Sequence, residues 1–460
     1  MHTDEAVNAY IVGQLLAHEP FRYDPRDRHG PLLAAIALPL AKMQGAKSFS
    51  DLTESELRLT SVLGGTVIIL LFGAAVDMFG FAPCAIAALL FAGCALPVYY
   101  DRYFIHESLF VAMTFAFLMC VWRASRTDSH LYAALAGSCA AFMLAAKETA
   151  ILHFAALAAA AAVYLLWNVR SHRPARLPRP KFVVAAIAAF LLVSVLLFTW
   201  FGTNWSALAA LAHAIPNLLA RSQGQGHEKP LWYFAQLLAG GRSGGFLLAL
   251  ACIGFVLAVR KRDASLFAFL AYYALFLFAI YSLIPYKTPW LALNLWLPLA
   301  LFAARAVVAL WQIAQKHLRL STSIPAFGIL ALIAAALIAR DTRQRVFVDP
   351  AGETNPYAYT HTSEDLLGLP DEIATLARQY AIASPRIAVI AADSWPLPWY
   401  LRHYTQVGFW QPGQQVGNAD FYVTSTEAAD RYKDQLRDFR PEFFGARPGV
   451  LVLLWSPAPK

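Results

Sequence analysis

The sequence predicts a mainly α, polytopic transmembrane protein of about ten to eleven helices, with a small C-terminal extracytoplasmic α/β domain. Three observations carry this expectation. The 460-residue chain is 58% hydrophobic and only 14% charged, too little charge to solvate the surface of a soluble protein of this size. Apolar runs long enough to cross a bilayer follow one another through most of the chain. The last ~120 residues then regain charge and alternate helical with strand-like patterns.

The predicted spans are residues 58–79, 81–100, 103–123, 131–146, 149–168, 182–201, 244–259, 265–285, 289–311 and 323–340. The run 31–43 is too short to cross and reads as a surface-lying or partly inserted helix. Residues 1–57 form a loop region ahead of the 58–340 membrane domain, and 341–460 form the α/β domain. In that domain 364–381 and 426–438 read as helices, and 386–392, 419–425 and 449–455 as buried strands. It contains no GxGxxG turn, so it is assigned no nucleotide.

Cationic residues set the orientation. Arg123 and Arg126, then Arg170, Arg173, Arg176, Arg179 and Lys181, then Arg260, Lys261 and Arg262, then Lys316 and Arg319 fill alternate loops. By the positive-inside rule their face is cytoplasmic and the opposite face is outside. The formal net charge of +8 therefore reflects cationic loops on an anionic leaflet. It does not call for nucleic acid, since no basic stripe runs along a soluble face. Cys84, Cys94, Cys120, Cys139 and Cys252 sit singly inside apolar runs, which speaks against a structural zinc site. Carboxylates spaced for a metal are not evident, and no cofactor is assigned.

The outer face collects the chemistry. Asp4 and Glu5 open the stretch DEAVNAYIVGQLL, where an acid either caps the helix or takes a proton from an acceptor hydroxyl. In FRYDPRDRHGPLL, Arg22, Arg26, Arg28 and His29 accompany Asp24 and Asp27, as a solvated turn or as a phosphate site. Asp101, Arg102, His106 and Glu107 lie in YYDRYFIHESLF. A helix starting near 102 would put Arg102 and His106 on one face. The pair Lys147-Glu148 interrupts an apolar stretch, which is costly in a membrane unless the charges are paired or used. Tyr286-Lys287-Thr288-Pro289-Trp290 and GHEKPLWYF (226–234) add further cations and interface aromatics.

In order and sidedness, the early DEA, RHGP, RYFIHE, KET and YKTPW segments resemble the GT-C superfamily. More narrowly they resemble the flippase activity-associated proteins, relatives of glycosyltransferase family 39. That family includes the dolichyl-phosphate-mannose protein mannosyltransferases and the aminoarabinose transferases of lipid A. The resemblance implies a GT-C fold and a membrane glycosyltransferase. Its donor would be a polyprenyl-phosphate-linked sugar, and its acceptor a lipid, glycan or protein hydroxyl at the outer face of the cytoplasmic (inner) membrane. It implies that Asp4 is the base and Glu5 the second acid of the motif. Arg102, His106, Lys147 and Lys287 would hold the lipid phosphate as leaving group, with Arg28 and His29 as further candidates. Glu107 and Glu148 would orient these cations or contact the sugar. Such proteins carry a helix before the DE loop, and ten spans with both ends outside also require one. A transmembrane helix ahead of Met1 is therefore expected. Two other readings compete: a non-catalytic role assisting the flipping of lipid-linked sugars, and a membrane-anchored binding protein acting through SWPLPWYLR (394–402).

Overall fold

A computed structural model describes residues 1–26, 28–170, 179–224, 226–260 and 266–458. Asp27, Arg173, Arg176, Lys261, Arg262 and Asp263 lie outside the described residues.

Two helices precede the first span. In α1 (Thr3–Leu16) His2 is the N-cap, and a capping box links its ring to the Asp4 amide and the Glu5 carboxylate to its own amide. The apolar run at 31–43 becomes α2 (Leu32–Met43), 12 residues long and too short to span.

The membrane helices are α3 (Glu54–Ala74), α4 (Phe81–Gly93), α5 (Ala95–Tyr100), α6 (Glu107–Thr127), α7 (His130–Ala146), α8 (Ala150–Arg170) and α9 (Pro180–Phe198). After α10 (Ala214–Arg221) in the long loop come α11 (Gly241–Arg260), α12 (Leu266–Leu283), α13 (Ala292–His317) and α14 (Leu320–Thr342). Among the described residues, eight helices are long and apolar enough to cross a membrane, and α4 and α7 are shorter apolar ones. The protein is a multi-pass membrane protein. Helices pack closely where side chains are small: a Cβ on Gly137 of α7 would stand 1.9 Å from the Ala186 carbonyl oxygen of α9.

Two predicted spans differ from the observed helices. The run 81–100 is split at Cys94, whose backbone is extended. Pro97 has no N–H to give the Gly93 carbonyl, and the Thr342 hydroxyl of α14 donates to that oxygen instead, at 2.7 Å. The run 103–123 begins its helix only at Glu107, because 101–106 is a turn. On the face with the cationic loops, Asp77 pairs with Arg123 and Asp128 with Arg179.

The C-terminal sheet has the order β2-β1-β3-β5-β4. Strands β1 (Arg386–Ile390), β2 (Gln406–Trp410) and β3 (Phe421–Ser425) are parallel. Strand β5 (Val450–Pro457) runs antiparallel to β3 and to β4 (Phe439–Arg447). Helix α15 (Leu369–Gln379) supplies Ile373 and Leu376 to the core around Val389 and Val423. The predicted helix 364–381 is interrupted at Gly368, where Pro370 starts α15. Strands β2 and β4 were absent from the sequence reading. The first has a half-exposed pattern and a central glycine, and the second carries Pro441 and three charges. In the segment 395–400, Leu397 stays in this domain's core while Trp399 packs into the apolar cluster that includes α1 and α2.

Candidate active site

A cavity of about 580 Å³ lies among α1, Pro25, Arg28 and His29, the α6 and α8 N-termini, α10, the end of α12 and Trp395. Its lining mixes apolar side chains, among them Ile151, Leu152, Ile215, Leu218, Leu219 and Ile284, with the polar and charged Asp4, Arg28, His29, His106, Glu107, Lys147, Glu148 and Arg221.

The α-helical period separates the two acids of the DE motif. Asp4, Val7 and Asn8 share the cavity face of α1. The Asp4 carboxylate has no hydrogen bond or ion pair among the described residues, and helix capping falls to His2 and Glu5 instead. Glu5 points away from the cavity. It is fully buried, and its oxygens accept from Arg58 Nε at 2.8 Å, Arg58 Nη2 at 3.0 Å, the Phe104 amide at 2.9 Å and the His2 amide at 2.9 Å. Burial alone would raise the Glu5 carboxyl, but the Arg58 guanidinium outweighs it and holds the group at about 2. Glu5, expected as the second acid of the motif, does not line the cavity: its oxygens hold α1 against α3 and the 101–106 turn.

The costly Lys147-Glu148 pair finds its partners across the fold. Helix α7 ends at Ala146, and Lys147 is extended, so the two side chains diverge into the cavity wall. Lys147 Nζ forms an ion pair with Glu107 at the start of α6. Glu148 accepts from the Tyr23 hydroxyl at 2.8 Å and bonds His29 Nδ1 at 2.8 Å. Burial works to raise the Glu148 carboxyl, but His29 and Tyr23 hold it below the ordinary carboxylate range. Gly30 makes the His29 contact possible, since a Cβ there would lie 2.3 Å from the Ala145 carbonyl oxygen. The His29 and His106 rings meet edge to face, 5.0 Å apart. Burial, then His29 and Lys147, push the His106 imidazole well below its ordinary value.

Two predicted phosphate ligands do not reach the cavity. Because α6 begins at Glu107, Arg102 is not on one helical face with His106. Its Nη1 donates to the Val346 carbonyl at 2.9 Å, and its guanidinium covers Phe347 at 4.5 Å. Lys287 is buried and turned inward, donating to the backbone carbonyls of Ile284 and Lys229 at 2.6 and 3.1 Å. Sequence reasoning missed Arg221, Tyr281 and Trp395 as cavity residues. The signal for Arg221 was the amphipathic AIPNLLAR of α10 inside the long loop. Among the described residues, no three His, Cys, Asp or Glu side chains converge as a metal-holding group.

The whole architecture is shared with solved structures. ArnT from Cupriavidus metallidurans bound to undecaprenyl phosphate superposes with a TM-score of 0.67 at 14% identity, over 98% of this chain and 93% of that one. The oligosaccharyltransferase of Archaeoglobus fulgidus in its apo form gives 0.56 at 13% identity, over 99% and 73%. The same archaeal enzyme, AglB, in complex with an inhibitory peptide and a dolichol-phosphate gives 0.53 at 12%, over 99% and 70%. This chain has the GT-C fold. No protein-family model and no curated protein matches the sequence. Within the GT-C fold, the membrane helices carry the cavity at one face and the C-terminal sheet domain reaches over it through Trp395.

Proposed function

We propose that this chain is a glycosyltransferase moving a sugar from a polyprenyl-phosphate donor to an acceptor hydroxyl at the outer face of the cytoplasmic membrane. The observation that carries the reading is one cavity lined both by a carboxylate without a partner among the described residues, Asp4, and by the cations Lys147, Arg28 and Arg221, with His29 beside them. The apolar residues of the same lining suit a prenyl chain. The ligands of the two fold relatives, undecaprenyl phosphate and dolichol-phosphate, support a lipid phosphate as the recognised group. The cationic loops on the opposite face support the outer placement of the cavity and of the C-terminal domain.

The chemistry follows from that juxtaposition. Asp4 takes the proton of the acceptor hydroxyl as its oxygen attacks the anomeric carbon. The bond from that carbon to the phosphate oxygen breaks, and the polyprenyl phosphate leaves with the electron pair. Lys147, Arg28 and Arg221 meet the charge that develops on it. One displacement inverts the anomeric centre. Glu107 and Glu148 hold Lys147 and His29 in position.

The test is a lipid extract of cells lacking the chain, analysed by mass spectrometry. A polyprenyl-phosphate sugar accumulates there and disappears when the gene is restored. Unchanged lipid-linked sugars in the two extracts would overturn the reading.

A further inference from the structure

His153 is fully buried in α8, and the chemistry above does not use it. Both ring nitrogens are engaged: Nδ1 lies 2.7 Å from the Tyr273 hydroxyl and Nε2 lies 2.7 Å from the Tyr281 hydroxyl, both on α12. The edge-to-face ring of Phe110, 4.7 Å away, adds no polar group. Tyr281 lines the cavity, whereas Tyr273 does not. Tyr273 is 1% exposed, and its hydroxyl has no further partner among the described residues.

Three protonation arrangements fit these two distances. With the proton on Nδ1, the ring donates to Tyr273, and the Tyr273 proton is stranded in an apolar interior. With both nitrogens protonated, that proton is stranded again, and an unpaired cation is added inside the membrane. With the proton on Nε2, Tyr273 donates to Nδ1 and Nε2–H donates to the Tyr281 oxygen. The Tyr281 proton is then left for whatever occupies the cavity. Only this arrangement leaves no proton stranded away from the cavity. Glu107, the acid of α6 in the cavity wall, bonds Lys147 and not Tyr281.

We infer that His153 is held as the Nε2–H tautomer, and that the Tyr273–His153–Tyr281 chain presents the Tyr281 hydroxyl as a hydrogen-bond donor to a phosphate oxygen of the ligand. Tyr281 is the group that touches the ligand; His153 and Tyr273 are positioning residues that act through it. The choice of a phosphate rests on the glycosyltransferase reading. Tyr281 lines the same cavity as Ile284, Leu152 and Lys147, a lining that offers both an apolar surface and a cation to a lipid phosphate.

The test uses the full chain in detergent micelles with ¹⁵N-labelled histidine, the His153 signal being assigned by its loss in His153→Gln. A neutral ring protonated on Nε2 is expected. A ring protonated on Nδ1, or an imidazolium, would overturn the inference whatever the protein transfers. Binding of undecaprenyl phosphate gives the second arm. Tyr281→Phe weakens it about tenfold, as expected for losing one bond to a charged group. Tyr273→Phe removes the donor that fixes the ring, so both tautomers populate and binding weakens by part of that factor. The double variant binds no more weakly than Tyr281→Phe alone, because the residues act in series. Additive losses, or wild-type binding by Tyr281→Phe, would overturn the inference. Wild-type protein that shows this binding pattern but transfers no sugar would keep the relay and remove the glycosyltransferase reading.

Discussion

Asp4 and Glu5 are adjacent in sequence, yet their carboxylates serve different parts of the fold. Asp4 opens onto the cavity beside Asn8, while Glu5 is sealed under α3 with Arg58. The 100° step between neighbouring helical residues separates them. Substitutions at the two positions should therefore fail differently.

Glu5→Gln should destabilise the protein. Breaking a fully buried pair costs about 3–5 kcal/mol, and the partial exposure of Arg58 puts this case nearer ~2–3 kcal/mol. Denaturation of the purified variant in detergent checks it. An unchanged midpoint would show that the pair adds nothing to stability.

The same pair predicts an acid sensitivity of defined sign. The Glu5 carboxyl is held at about 2 against an ordinary 4.5. A depressed acid stabilises the fold fully above the ordinary value, and loses that stabilisation as pH falls from there toward the folded value. The shift is equivalent to ~3 kcal/mol. Thermal unfolding followed from about pH 6 to about pH 3 should therefore fall more steeply for wild type than for Glu5→Gln. Parallel curves would contradict this.

Lys147 pairs with Glu107, so a phosphate that binds Lys147 competes with a carboxylate for it. Lys147→Ala should weaken undecaprenyl phosphate binding by about tenfold or more. Glu107→Gln should strengthen binding by roughly threefold to tenfold while lowering stability, since a competing charge is removed. Equilibrium binding of the labelled lipid distinguishes the two. Weaker binding by Glu107→Gln would remove Lys147 from the phosphate clamp.

Arg102→Ala should leave that affinity unchanged, because the guanidinium is spent on the Val346 carbonyl and on Phe347. The same lipid-binding measurement decides it; a loss of affinity would return Arg102 to the site.

The membrane spans were legible because a run of apolar residues has few alternatives to a bilayer helix. The convergence of DEA, RHGP, HE and KE segments was legible from sidedness alone. What was not legible is which way a side chain turns at a helix end. Arg102 and Lys287 lie in short segments between helices just like Lys147, yet the turn at 101–106 and the carbonyl of Ile284 direct them elsewhere. Tyr281 and His153 were hidden because aromatic residues in a span read as lipid-facing or core, and only packing shows two hydroxyls closing on one imidazole. Trp395 was visible as part of SWPLPWYLR, but its place over the cavity depends on how the sheet domain docks.

The central claim is that Asp4 activates an acceptor against a lipid-phosphate leaving group. The most direct measurement compares Asp4→Asn with wild type in cells lacking the chain, by mass analysis of lipid-linked sugars, together with undecaprenyl phosphate binding by the purified proteins. The account predicts that Asp4→Asn binds the lipid as wild type does, within about twofold, yet leaves the sugar-charged lipid accumulated. Clearance of that lipid by Asp4→Asn at the wild-type rate would contradict it.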